Sequence, residues 1–63
     1  MVGDNLKNIC EKKKITMYRL SKETGISQSY LSEIVNGKAT NPSSEVLIKL
    51  SNFLKTPIDT LVK

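Results

Sequence analysis

The 63-residue chain has no histidine and no tryptophan, and Cys10 is its only cysteine. Those absences exclude a disulfide framework and the usual Cys/His zinc sites. Long apolar runs are missing as well: none approaches the ~20 residues of a membrane span. Met1 to Lys14 carries no signal-peptide core. A lone thiol and no export signal fit a reducing compartment, and the expected location is the cytoplasm. Acidic residues are the scarcer charge, six against ten Lys and Arg, which leaves a net charge of +4. That balance leans toward an anionic partner. With 38% apolar residues in so short a chain, the core is thin and a deep pocket is hard to build. No nucleophile–base pair, metal cluster or phosphate-binding glycine loop is present, so the expectation is a protein without catalysis or cofactor.

What the chain does contain is one domain, residues 1–63, divided by Gly3, Gly25, Gly37, Pro42 and Pro57. From Asp4 to about Lys14, Leu6, Ile9, Cys10 and Lys13 recur at helical spacing, with Val2 one turn earlier. Asp4 is the expected N-cap, and the stem of Lys13 is expected to lie on apolar surface. Thr16 caps a second helix over Met17–Thr24 whose inner face is Met17, Leu20, Ser21 and Thr24, and Gly25 stops it. A third helix starts at Ser27 and reaches about Asn36, before Gly37. Pro42 and Ser43 lead into a fourth, about Ser44–Leu54, with Val46, Leu47, Leu50, Phe53 and Leu54 inward. A short last turn spans Pro57 to Val62, with Thr56 as its cap and Pro57 at the first helical position. No stretch alternates with period two long enough for a strand. The expected class is all-α, with five short helices.

The segment Thr16–Lys38 carries the function. Its two helices are joined by Gly25, Ile26 and a serine cap, too tight for an antiparallel hairpin. A glycine-containing connection of this length sets helices at roughly 90–120°, the helix-turn-helix arrangement. Small Ser21 and Thr24 would permit close approach, and Ile26 would plug the space beneath the turn.

On the third helix, Leu31, Ile34 and Val35 point inward at 100° per residue, with Tyr30 at the boundary. Ser29, Ser32, Glu33 and Asn36 point outward, with Gln28 on the flank. This outward face has no Lys or Arg, whereas ordinary solvated helix faces carry paired charges. Gln can bind adenine bidentately, Ser suits either kind of base, and Glu can accept from cytosine N4. Basic residues surround the face at Lys12, Lys13, Arg19, Lys22 and Lys38. Phosphate-gripping surroundings with a neutral polar centre fit a duplex reader.

The run Leu20-Ser21-Lys22-Glu23-Thr24-Gly25-Ile26-Ser27, followed by Ser29-Tyr30-Leu31-Ser32 and Asn36-Gly37-Lys38, resembles the Cro/CI-type phage-repressor helix-turn-helix. Asn41-Pro42-Ser43 with Leu47, Leu50 and Leu54, then Ile58 and Leu61, resembles its fourth and fifth helices. The resemblance implies a compact five-helix domain whose third helix enters the major groove of double-stranded DNA. By position, it implies that Gln28, Ser29, Ser32 and Glu33 face base edges. It likewise places Thr16, Met17 (through its backbone N–H), Ser27, Asn36, Lys38 and Thr40 on the sugar-phosphate backbone. Arg19 and Lys22 join that set as nearby cations; Tyr30 is either a packing residue or a phosphate donor.

Three positions depart from the resembled pattern. Many relatives have an Arg–Glu ion pair where this chain has Cys10 and Val35, a change that well-packed apolar groups tolerate. Relatives often have Gly where Lys14 stands, so a strained corner is expected there. They also commonly have Arg, Lys or Gln at Glu33, where an acid repels phosphate. Plainer readings stand beside these. Lys12-Lys13-Lys14 is either a solvated helix end or a phosphate grip, Cys10 fits a small core residue, and Ser32 a hydroxyl bonded back to the preceding turn. The alternative function is a protein-interaction module, such as an antitoxin or accessory factor. A single third helix reads too few base pairs for a useful site, so two copies are expected on an inverted repeat. Ile48, Ile58 and Val62 are the apolar groups expected to supply a weak dimer contact.

Overall fold

The computed structural model describes residues 1–63 as five helices and no strands: α1 (Val2–Lys13), α2 (Met17–Thr24), α3 (Gln28–Val35), α4 (Ser44–Leu54) and α5 (Ile58–Val62). α3 packs against α1 and α2; α5 packs against α1 and α4, and α2 also meets α4. The shared core is Leu6, Cys10, Leu20, Ile26, Leu31, Ile34, Leu50, Leu54 and Leu61, one or two side chains from each helix plus Ile26 from the turn. Val35 and Tyr30 are half-buried against it. No helix is long and apolar enough to cross a membrane.

The helix limits follow from local chemistry. Thr16, Ser27 and Ser43 each take extended backbone, and their hydroxyl oxygens accept from the N–H groups of Arg19, Tyr30 and Val46 respectively. Such caps satisfy otherwise orphaned donors and stabilise a helix by about 1 kcal/mol. Gly25 ends α2 at φ 77°, a conformation that glycine enters without steric cost.

Four expectations are corrected. α1 begins earlier, with Met1 at its cap, so Asp4 is a first-turn acid rather than the N-cap. The chain stays helical through Gly3 because Gly3 lies on the same buried stripe as Leu6 and Cys10. Lys13 is exposed rather than laid on the core, its charge near the negative end of the α1 dipole. Thr56 does not cap α5: its hydroxyl donates to the Leu54 carbonyl at 3.1 Å, and Pro57 occupies the cap position instead of the first helical one.

The small polar residues on the inner face of α2 do more than permit close approach. Ser21 Oγ donates to the Ile26 carbonyl at 2.6 Å. Thr24 Oγ1 donates to the Leu20 carbonyl at 2.7 Å and accepts from the Ile26 N–H at 3.3 Å. Ile26, 7% exposed, is thereby held in the core by both backbone polar groups and side chain. The α4–α5 corner repeats the device, with Ser51 Oγ donating to the Thr56 carbonyl at 2.6 Å.

Two non-glycine residues have positive φ, Lys14 at 57° and Lys55 at 52°. Each follows a helix in the left-handed region, at a cost of about 1–2 kcal/mol for an L-residue. The strained corner expected at Lys14 is present; the matching one at Lys55 carries no sequence signal, because lysine has no preference for that conformation.

Candidate nucleic-acid interface

The outer surface of α3 is built as the helical spacing predicts. Leu31 and Ile34 are fully buried, which turns Gln28, Ser29, Ser32, Glu33 and Asn36 into solvent. No side chain of these five makes a hydrogen bond or ion pair within the chain. Ser32 in particular does not bond back to the preceding turn, unlike Thr24 on α2. The face therefore offers a row of unengaged amide, hydroxyl and carboxylate groups on one short rigid element.

The groups expected to flank it differ in exposure. Thr16, Arg19, Lys22, Ser27, Lys38 and Thr40 are exposed, while Met17 and Tyr30 are half-buried and pack on the core. Because Thr16 takes the N–H groups of Arg19 and Leu20, those of Met17 and Tyr18 are left without an acceptor in the chain. Ser27 does the same for α3, leaving the N–H groups of Gln28 and Ser29 free. These donors sit at the positive ends of two helix dipoles.

Lys38 is placed by α3 itself. After Val35 the chain curls back, and the Glu33 carbonyl accepts from the N–H groups of both Lys38 and Ala39, at 2.9 and 3.0 Å. Gly37 makes that reversal with φ 82°. Lys38 is thus tied to the second turn of the polar face, one backbone hydrogen bond from Glu33.

Charge reinforces the pattern. The sole ion pair of the chain joins Lys49 to Glu45 at 3.3 Å on α4, so Lys12, Lys13, Lys14, Arg19, Lys22 and Lys38 are uncompensated by any partner within 4 Å. Cys10 is buried, and desolvation pushes its thiol above the ordinary value, which keeps it neutral and makes it a core residue. No group of His, Cys, Asp or Glu could hold a metal ion. A shallow cleft between Val2–Asp4 and Ile34–Gly37 contains Asp4 as its one ionisable side chain.

One residue of this region is not distinguished by the sequence. Tyr18 is the most exposed aromatic, 63% accessible beside Arg19 on α2. Its i+4 neighbour Lys22 gives the one available signal, a register outside the inner stripe of Met17, Leu20, Ser21 and Thr24.

Fold and surface together define a five-helix domain built on a helix-turn-helix at α2 and α3. The family model described as "Helix-turn-helix" matches residues 6–61, and the chain belongs to that family. It is similar to the HTH-type transcriptional regulator SinR of Bacillus subtilis (strain 168), with 34% identity over 62 residues covering 98% of this chain and 56% of that protein. It is also similar to the HTH-type transcriptional regulator SlrR of the same organism, 36% identical over 61 residues, covering 97% of this chain and 40% of that protein. The HTH-type transcriptional repressor RghR, again of that organism, is 33% identical over 60 residues, covering 95% of this chain and 44% of that protein. The chain spans about half the length of these relatives.

Proposed function

We propose that this chain is a sequence-specific reader of double-stranded DNA acting in transcriptional regulation, of repressor type, with α3 in the major groove. The observation that carries the reading is the outer face of α3: exposed, free of Lys and Arg, unengaged by the chain, and followed by unpaired Lys38, whose N–H bonds to the Glu33 carbonyl. Gln28, Ser29, Ser32 and Glu33 address base edges, Gln28 toward adenine and Glu33 toward cytosine N4. Thr16, Ser27, Asn36 and Thr40, with the N–H of Met17, hold sugar-phosphate; Arg19, Lys22 and Lys38 neutralise phosphates. Tyr30, half-buried but at the first turn of α3, directs its hydroxyl to the same backbone. The relatives, named as transcriptional regulators or a repressor, favour this reading over a protein-interaction module and over catalysis.

Because α3 spans only about two turns, one domain covers roughly four to six base pairs, and two copies occupy an inverted repeat. Such a regulator works in the cytoplasm. The test is a salt titration of binding to duplex DNA. With about three to five phosphate contacts per domain, log K falls against log salt with a slope of about −3 to −4.5. A flat response would refute the DNA reading.

A further inference from the structure

We propose that Asn36 and Gly37 form a self-modification site, where ring closure converts Asn36 to aspartate or isoaspartate and switches off duplex binding as the protein ages. The loss of binding rests on the DNA reading above; the chemistry at Asn36 does not.

Both reacting groups are neighbours in the chain. The Gly37 backbone nitrogen attacks the Asn36 side-chain amide carbon, an N–C bond forms, and the bond to the amide nitrogen breaks. The Gly37 N–H proton departs with that nitrogen as ammonia, leaving a succinimide ring. Water then opens one or the other ring carbonyl. The products are aspartate and isoaspartate, the latter with the main chain rerouted through the side-chain carbon. No oxidant or reductant is required.

Sequence and structure single out this asparagine. Its follower is glycine, which has no Cβ to obstruct the attack or the backbone rotation it needs. Asn5, Asn8 and Asn52 precede bulky Leu6, Ile9 and Phe53 inside α1 and α4. The Asn5 amide is also tied to the Leu61 carbonyl at 2.8 Å. Asn41 precedes Pro42, whose nitrogen has no proton to give up. Asn36 is exposed, and its amide makes no hydrogen bond within the chain.

The fold slows the reaction without preventing it. Asn36 has ψ −1°, which turns the Gly37 nitrogen away from the Asn36 side chain. That N–H donates to the Ile34 carbonyl at 3.2 Å, the longest of the bonds closing the end of α3. The N–H groups of Asn36, Lys38 and Ala39 make theirs at 2.9, 2.9 and 3.0 Å. Attack therefore requires the last turn of α3 to open, and such terminal fraying costs least in a folded chain. DNA held across Asn36 and Lys38 keeps the turn shut, so free chains age and bound ones do not.

Conversion damages the binding face in two ways. Asn36 follows Ser32 and Glu33 by one helical turn on the same exposed face. A carboxylate there adds a second acid beside Glu33, where both face phosphate. Isoaspartate also inserts a methylene into the main chain before Gly37. That displaces Lys38 and Ala39 from the Glu33 carbonyl they share, and Lys38 loses its tie to the polar face.

The test ages the 63-residue chain with a thiol reductant in mildly alkaline buffer well below its Tm, with and without saturating random-sequence duplex. Peptide mapping follows each asparagine, and salt titrations on that duplex compare fresh and aged samples. Asn36 is expected to convert at least about tenfold faster than Asn5, Asn8, Asn41 and Asn52, and more slowly when DNA is bound. Converted chain and fresh Asn36→Asp are expected to bind about tenfold more weakly than fresh parent. Asn36→Gln, whose longer side chain closes a ring far less readily, is expected to keep the affinity of its own fresh sample. Conversion at Asn36 no faster than elsewhere, or converted chains that bind like fresh ones, would overturn the proposal and leave the DNA reading intact. An equal decline in aged Asn36→Gln would also overturn it, because other damage would then be the cause. A fresh parent with no salt-dependent binding removes the DNA reading and the switch with it, while mapping tests the chemistry at Asn36 separately.

Discussion

Gly3 of α1 packs directly on the carbonyl of Ile34 in α3, so closely that a Cβ added at Gly3 would overlap that oxygen and crowd the Val35 carbonyl as well. The contact sets how far α1 stands from the helix that carries the polar face. On propensity alone, Gly3→Ala should help α1 by about 1 kcal/mol. Both neighbours are backbone atoms near the end of α3 and cannot rotate aside, so the overlap should prevail. The expected net effect is destabilisation by about 1–3 kcal/mol, read as a lower Tm. A raised Tm would mean that α1 can slide away without loss.

The same residue shows what sequence could and could not provide. Glycine reads as a breaker when only local preference is considered. Here it sits three residues before Leu6, on the buried stripe, and packing overrides propensity. α2 and α4 were readable to the residue because Thr16, Ser43 and Gly25 use side-chain or backbone chemistry specific to helix ends. The outward set of α3 was also readable, since burial of Leu31 and Ile34 dictates it. Three features were not. The bond from Ser21 to Ile26 depends on how the turn closes. Thr56 has the residue type of a cap, but its hydroxyl bonds backward to the Leu54 carbonyl. The positive φ at Lys55 is imposed by the α4–α5 corner.

Cys10 makes stability depend on pH. Burial raises its thiol pKa in the folded chain above the unfolded value of about 8.5. The unfolded state therefore loses its proton first and binds fewer protons than the native state in that window. Stability contributed by the neutral thiol is complete below about pH 8.5 and declines as pH rises toward the folded pKa, by at most about 1.4 kcal/mol per pH unit. Melts between about pH 7.5 and 9.5 should show this decline, and Cys10→Ala should flatten it while lowering Tm throughout. An identical pH dependence in both proteins would mean that another group is responsible.

Glu33 is the one charge on the outer face of α3, and it has no partner in the chain. An acid facing DNA either accepts a hydrogen bond from a cytosine N4 or is simply repelled by phosphate. The first role predicts that Glu33→Gln changes which base is preferred at one position, by about 1–3 kcal/mol of discrimination. The second predicts stronger binding to every duplex with no change in preference. Profiles of both proteins on a randomised site separate the two, and a changed base preference is the expected result. Gln28→Ala on the same site should relax preference at a different base pair, whereas Lys38→Ala should weaken all sequences alike.

Assembly on DNA is the remaining prediction. Ile48 and Val62 are exposed, at 49% and 45%, and Ile58 is half-buried nearby in the chain from Val62. Ile48 points outward from α4, flanked by the Glu45–Lys49 ion pair, so the apolar area it offers is small. At roughly 25 cal/mol per Å², a patch of this size cannot offset the loss of translational and rotational freedom on association. The chain should therefore be monomeric at micromolar concentration. DNA changes the balance, because two half-sites about one helical turn apart hold two copies together and raise their effective concentration to the millimolar range. A contact too weak to form dimers in solution then yields cooperative binding. Sedimentation should give one chain free and two per duplex bearing an inverted repeat. Ile48→Glu should leave the affinity for a single half-site unchanged and lower cooperativity on the pair. One chain per duplex at saturation would defeat the prediction, and cooperativity that survives Ile48→Glu would move the contact elsewhere on the surface.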